Sequence, residues 1–187
     1  MKRLSHWFTH FTHFRNVRHR NGTFSLNFRF NHQLAHVQHM YPAPVNELSF
    51  NLLGSHDTPR VLTYAEEHKP TAKLMYLFQM SYEGTPCIYY GDEIGMTSGE
   101  DPGCRKCMVW EENEQDLEMF AFLQSVISLH KTEPAFGSWE SFQFVDYGEE
   151  LLAYVKRSDE QTLLFFINPS QQSKKAEVSV KKLLKRP

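Results

Sequence analysis

The chain has 187 residues, enough for one large domain or two small ones, and its 20 Lys/Arg and 22 Asp/Glu leave a net charge of −2. That balance points to no particular partner, and no apolar run approaches the roughly 20 residues of a membrane span. Three cysteines, Cys87, Cys104 and Cys107, form no even disulfide framework and point to a reduced, cytoplasmic setting.

The charge is unevenly placed. From Met1 to Asn46 there is no Asp or Glu, but six Lys/Arg and seven of the ten His; from Glu47 onward 14 basic residues face 22 acidic ones. Such a break marks two unlike pieces. The start, Met1-Lys2-Arg3-Leu4, has the charge of a signal peptide, but His6, His10, His13 and Arg15 interrupt the apolar stretch it would need, so no secretion signal is read. Residues 1–31 keep no helical or strand period. A basic, aromatic-rich arm could bind nucleic acid, and its histidines could bind metal, although no carboxylate or Cys supports their spacing. The plainest reading is a leader outside the evolved fold, with neither nucleic acid nor metal bound.

Order begins near His32. Gln33, Leu34, Val37 and Met40 are spaced for a short amphipathic helix, which Tyr41-Pro42-Ala43-Pro44 breaks before a strand over Leu48–Leu53. Pro70 opens a second helix, with Leu74, Leu77, Phe78 and Ser81 on one face and Met75 and Tyr82 widening it, stopping at Gly84. Pro86-Cys87-Ile88-Tyr89-Tyr90 reads as a buried strand closed by Gly91-Asp92-Glu93. This alternation is the grammar of an α/β fold with parallel strands. Residues 95–113 form a polar loop long enough to be functional. Asp116 begins a third helix with a stripe of Leu117, Phe120, Leu123, Gln124, Ile127 and His130, ended by Pro134. Beyond Phe136, strands over Trp139–Val145, Leu151–Lys156, Thr162–Ile167 and Glu177–Val180 alternate with turns at Tyr147-Gly148, Ser158-Asp159 and Asn168-Pro169. That pattern begins an antiparallel β domain, which the last basic residues do not close.

The stretch Phe50–Arg60 organises the rest. An apolar strand stops abruptly in a polar turn carrying His56 and Asp57, which is how barrel enzymes present side chains from a strand's C-terminal end. The competing reading is a helix start, with Asp57 or Thr58 as N-cap and Pro59 in the first turn. Cys104-x-x-Cys107 lacks the second pair of a zinc site and the helix start of a redox motif. Asp92-Glu93 reads as the cap of a short turn at Ile94, and Tyr89, Tyr90 and Phe78 as core. Trp110, in the loop, suits core packing and stacking on a ligand equally well.

Three stretches, in this order, resemble the α-amylase family of glycoside hydrolases: Asn51–Arg60 its seventh-strand motif, Gly84–Met96 its eighth strand, and Glu100–Met108 the loop that follows. The Ser55-His56-Asp57-Thr58 form and the Cys104–Cys107 loop are similar to the neopullulanase, cyclomaltodextrinase and maltogenic amylase branch. The resemblance covers roughly residues 33–180 and implies the C-terminal part of a (β/α)8 barrel, strands seven and eight with their helices, over 32–135. A partial antiparallel β-sandwich then occupies 136–187. It also implies cleavage of α-1,4-glucosidic bonds of cyclodextrins, pullulan or maltooligosaccharides with retained configuration, without cofactor or membrane partner. Homodimerisation of the parent enzyme is a further expectation. Asp57 matches the transition-state-stabilising carboxylate, His56 a sugar-binding histidine, and Asp101 and Arg105 positions that reach more distant glucose units. The family's nucleophile and general acid follow earlier barrel strands, and no Asp or Glu precedes Glu47. The chain alone is therefore expected to be an inactive piece of a hydrolase; the alternative is a non-catalytic maltooligosaccharide-binding or regulatory module.

Overall fold

The computed structural model describes residues 34–138, 142–145, 151–168 and 172–178. The readings for residues 1–31, for 139–141, for the Tyr147-Gly148 turn and for the final basic stretch lie outside the described residues. Helix α1 runs over 34–40 with Leu34 buried. Pro44 does not lead straight into a strand. Its φ already suits a helix, and its missing N–H would be unpaired in a first turn anyway, so it opens a further short helix, α2 (Ala43–Glu47).

Strand β1 (Phe50–Leu52) is followed by helices α3 (Val61–Tyr64) and α4 (Lys69–Ser81) and by strand β2 (Thr85–Cys87). The strands pair in parallel, Phe50 opposite Thr85 and Leu52 opposite Cys87, as the helix–strand alternation predicts. Gln79 of α4 staples both, its amide donating to the carbonyls of Asn51 at 2.6 Å and Cys87 at 2.9 Å. Gly84 takes φ +90°, and a Cβ there would stand 2.6 Å from the Ser49 carbonyl, so only glycine lets the chain enter β2 this close to β1. Both strands are shorter and wetter than their apolar runs suggest. Leu48 and Phe50 are 80% and 67% exposed, and Ile88–Tyr90 leave the strand. Among the described residues the pair has no further strand beside it, and so lacks the cover that a buried parallel strand receives.

Helix α4 ends at Ser81 rather than Gly84. It buries Ala72, Met75, Tyr76, Phe78, Gln79 and Met80, while Leu74 and Leu77 are only partly covered, because it packs against both the strand pair and the elements that follow. Asp116 caps helix α5 (Leu117–Thr132), its carboxylate accepting the Met119 N–H at 3.1 Å. The buried stripe of α5 is Met119, Leu123 and Val126; Leu117 and Phe120 are exposed. Periodicity places Leu123, Ile127 and His130 correctly, Ile127 against the core and His130 on the Met80 carbonyl. Apolar residues surround this helix, so packing against α4 is what adds Met119 and Val126 and leaves Leu117 and Phe120 out. Pro134 ends α5 and starts α6 (Pro134–Gly137).

Strands β3 (Gln143–Phe144), β4 (Leu152–Arg157) and β5 (Thr162–Ile167) form an antiparallel sheet in that order. Of the fourth expected strand, residues 177 and 178 are not in a strand and Val178 is exposed, while 179 and 180 lie outside the described residues. Tyr154 fixes the sheet to α4. Its ring stacks on Phe165 at 4.7 Å, and its hydroxyl hydrogen-bonds the Ser81 hydroxyl at 2.6 Å. Leu152, Tyr154 and Ile167 thus share one core with Phe78, Tyr82, Met119 and Leu123. That core backs the helix whose other side holds β1. Among the described residues, no helix is long and apolar enough to cross a membrane.

Candidate active site

Past the buried Leu53, local hydrogen bonds shape the turn. The Asp57 N–H donates to the Ser55 hydroxyl at 3.1 Å, and the Ser55 N–H donates to the Thr58 hydroxyl at 3.0 Å. Helix α3 starts only at Val61, behind Arg60 and with no side-chain cap, so neither Asp57 nor Thr58 acts as the N-cap that the competing reading supposes. Thr58 is turned back on Ser55, and the Asp57 carboxylate faces outward with the imidazole of His56 beside it, Nε2 to Oδ1 3.3 Å.

The loop after β2 folds over this turn. Around a 3-10 turn over Gly103–Arg105, the Arg105 guanidinium reaches Asp57 (Nη2 to Oδ1 3.4 Å) and Asp101 (Nε to Oδ1 2.7 Å). Its Nε–H also donates to the His56 carbonyl at 3.1 Å, which accepts the Cys104 thiol at 2.9 Å. His56, Asp57, Asp101 and Arg105 therefore meet at one place, with the Asp101–Arg105 ion pair part of the same cluster. All four side chains are about half-exposed or more. A carboxylate that accepts, a guanidinium that donates and an imidazole able to do either can together grip vicinal hydroxyls. A fixed carboxylate also favours positive charge developing beside it. Among the described residues, no group of three or more His, Cys, Asp or Glu could hold a metal ion.

Other assignments shift. Phe78 is core as expected, but Tyr90 is exposed, its hydroxyl donating to the Lys106 carbonyl at 2.6 Å. Trp110 stands 76% exposed on the loop. Asp92 is no turn cap: it is buried and paired with the wholly buried Arg60, Nη1 to Oδ1 3.2 Å. Burial pushes its carboxyl up to about 7, against the downward pull of the Arg60 charge. Arg60, Asp92 and Cys104 are the participants that sequence reasoning missed. The first two are 32 positions apart with no periodic link, and the only available signal is a charge at the end of each apolar run.

The family of alpha amylase catalytic domains matches residues 3–168, a range that takes in most of the basic leader for which the sequence offered no counterpart. The chain is 45% identical over 143 residues to the maltogenic alpha-amylase of Bacillus acidopullulyticus, covering 75% of this chain and 24% of that protein. It is 46% identical over 142 residues to the cyclomaltodextrinase of Geobacillus thermopakistaniensis, again 75% and 24%. A solved cyclomaltodextrinase structure superposes with a TM-score of 0.75 at 39% identity, over 88% of this chain and 27% of that one. The chain thus spans about a quarter of the length of the curated relatives it matches. The family match takes in both the turn bearing Asp57 and the loop that closes on it, and with these relatives it fixes the assignment: the chain belongs to the α-amylase catalytic-domain family, in its maltogenic amylase and cyclomaltodextrinase branch.

Proposed function

We propose that the chain supplies the C-terminal part of a (β/α)8 barrel, with β1 and β2 as its seventh and eighth strands and β3–β5 opening a β-sandwich. The whole would be a retaining glycoside hydrolase acting on α-1,4-glucosidic bonds of cyclodextrins, pullulan or maltooligosaccharides. Asp57 stabilises the oxocarbenium-like transition state, His56 hydrogen-bonds the same sugar, and Asp101 and Arg105 reach the next glucose units. The observation that carries this reading is the arrival of Arg105, 48 positions away, on Asp57 and Asp101 together. A reduced, cytoplasmic setting fits the three free thiols.

A retaining mechanism also needs a nucleophile and a general acid, and with no carboxylate before Glu47 the 187 residues hold a sugar-binding half-site. The test is reducing-sugar release from β-cyclodextrin by the chain and by Asp57→Asn, with ligand-induced NMR shifts of the His56 imidazole followed in both. No turnover, with shifts that Asp57→Asn abolishes, is the expected result. Turnover by the chain would mean that it assembles both missing groups, and absence of any shift would remove the binding role. A soluble, cooperatively folding monomer that binds without turning over would favour a stand-alone maltooligosaccharide-binding module.

A further inference from the structure

We propose that Arg60 is a positioning residue, whose buried contacts to the β2 end hold the turn that presents His56 and Asp57; this rests on the reading of Asp57 as the sugar-binding carboxylate. Arg60 follows Asp57 by three positions and is wholly buried. Its guanidinium donates to the Tyr90 carbonyl at 2.5 Å and to Asp92 at 3.2 Å, and lies 5.0 Å and 4.9 Å from the ring centroids of Tyr89 and Tyr90. Its own N–H donates to the Ser98 carbonyl at 3.2 Å, at the start of the covering loop. Asp92 in turn packs so tightly under the turn that a Cβ on Gly54 would meet its Oδ2 at 2.6 Å. The contacts close a ring. Arg60 holds Tyr90, the Tyr90 hydroxyl holds Lys106, Arg105 precedes Lys106, and Arg105 holds Asp57.

A buried ion pair is a weak source of stability, since apolar residues of like volume often serve as well or better. Arg60 Nε and Nη2 also lack hydrogen-bond partners among the described residues, which further lowers what the pair returns in stability. What the pair uniquely supplies is geometry: a planar fork seated against two aromatic rings, in an orientation that a lysine cannot reproduce.

Stability and positioning separate in a variant that removes both charges at once, Arg60→Met with Asp92→Leu. The site is read without sugar, through the labelling rate of Cys104, whose buried thiol donates to the His56 carbonyl, in a background of Cys87→Ser and Cys107→Ser. The double variant should melt cooperatively near the parent temperature while Cys104 labels roughly tenfold faster, because the turn above it opens more often. Parental labelling in a folded double variant would overturn the proposal. Should the double variant not fold, Arg60→Lys decides: it keeps the charge, and labelling as slow as in the parent sinks the idea, whereas acceleration at an unchanged melting temperature supports it. Failure of the functional reading shows separately, as absence of β-cyclodextrin-induced shifts in the parent chain.

Discussion

Replacing Lys156 by Met should stabilise the fold, and by an amount that depends on pH. Lys156 lies on β4 with no exposed surface, and its Nζ has no hydrogen-bond partner among the described residues. Burial depresses its ammonium from 10.5 to about 8, with the charge of Glu83 pulling the other way. A lysine whose pKa is lowered on folding binds its proton more tightly when unfolded, so its contribution to stability is intact above the unfolded pKa and is lost as pH falls through 8. Two and a half pKa units correspond to about 3 kcal/mol of destabilisation at pH 7, about 2 at pH 9 and under about 1 at pH 10. Methionine keeps the unbranched stem and most of the volume without the charge. Urea titrations of parent and Lys156→Met at pH 7 and pH 10 should therefore show a gain of about 3 kcal/mol that shrinks to under about 1. A variant no more stable than the parent at pH 7, or a gain that does not shrink by pH 10, would refute the reasoning.

Asp116→Ala removes the acceptor for the Met119 N–H and the partner of Lys69, and should lower the urea midpoint by the equivalent of about 1–2 kcal/mol. Despite some burial, Lys69 and the Met119 N–H hold the Asp116 carboxyl below its ordinary range. The difference from the parent should therefore be full at neutral pH and fade as pH falls below about 4. Tyr154→Phe should be milder, about 1 kcal/mol in the same titration, because the Ser81 hydroxyl keeps the carbonyls of Leu77 and Phe78 as acceptors. The exposed Leu48 and Phe50 beside the single strand pair predict association that rises with concentration; a constant monomer mass by light scattering from 5 to 200 µM (about the range that separates weak self-association from none) would contradict it.

The parts of the fold that could be read from the sequence are those written in neighbouring residues. Asp116 is a carboxylate three residues ahead of the N–H it accepts, and Pro70 suits a first helical turn; both act within one turn of chain, so each marks its helix correctly. The α5 stripe is only half right, for the converse reason. Leu117, Phe120, Met119, Leu123 and Val126 are all apolar, and only the position of α4 selects which of them are covered. The strand lengths fail similarly, since an apolar run records what a strand could bury rather than which neighbours cover it.

The same division runs through the candidate site and orders its residues by task. His56 and Asp57 are adjacent, and Asp101 and Arg105 are four apart; the groups that face solvent and would touch a sugar sit in two short stretches legible one by one. Arg60, Asp92 and Tyr90 act across 30 or more positions, through contacts that exist only once β1 and β2 lie side by side. Exposed recognition groups need only be held at the right angle, and a contiguous turn supplies them. The holding needs buried atoms from separate strands, because a strand end is fixed only by what lies beside it. If that division is right, substitutions at Asp57 should change sugar binding and loosen the turn only slightly, because its half-exposed pairing with Arg105 is a weak tie, while substitutions at Arg60 should change both strongly. Parallel measurements of Cys104 labelling and β-cyclodextrin-induced His56 shifts separate the two classes, and an Asp57→Asn chain that labels as fast as an Arg60 variant would show that one set of residues does both jobs.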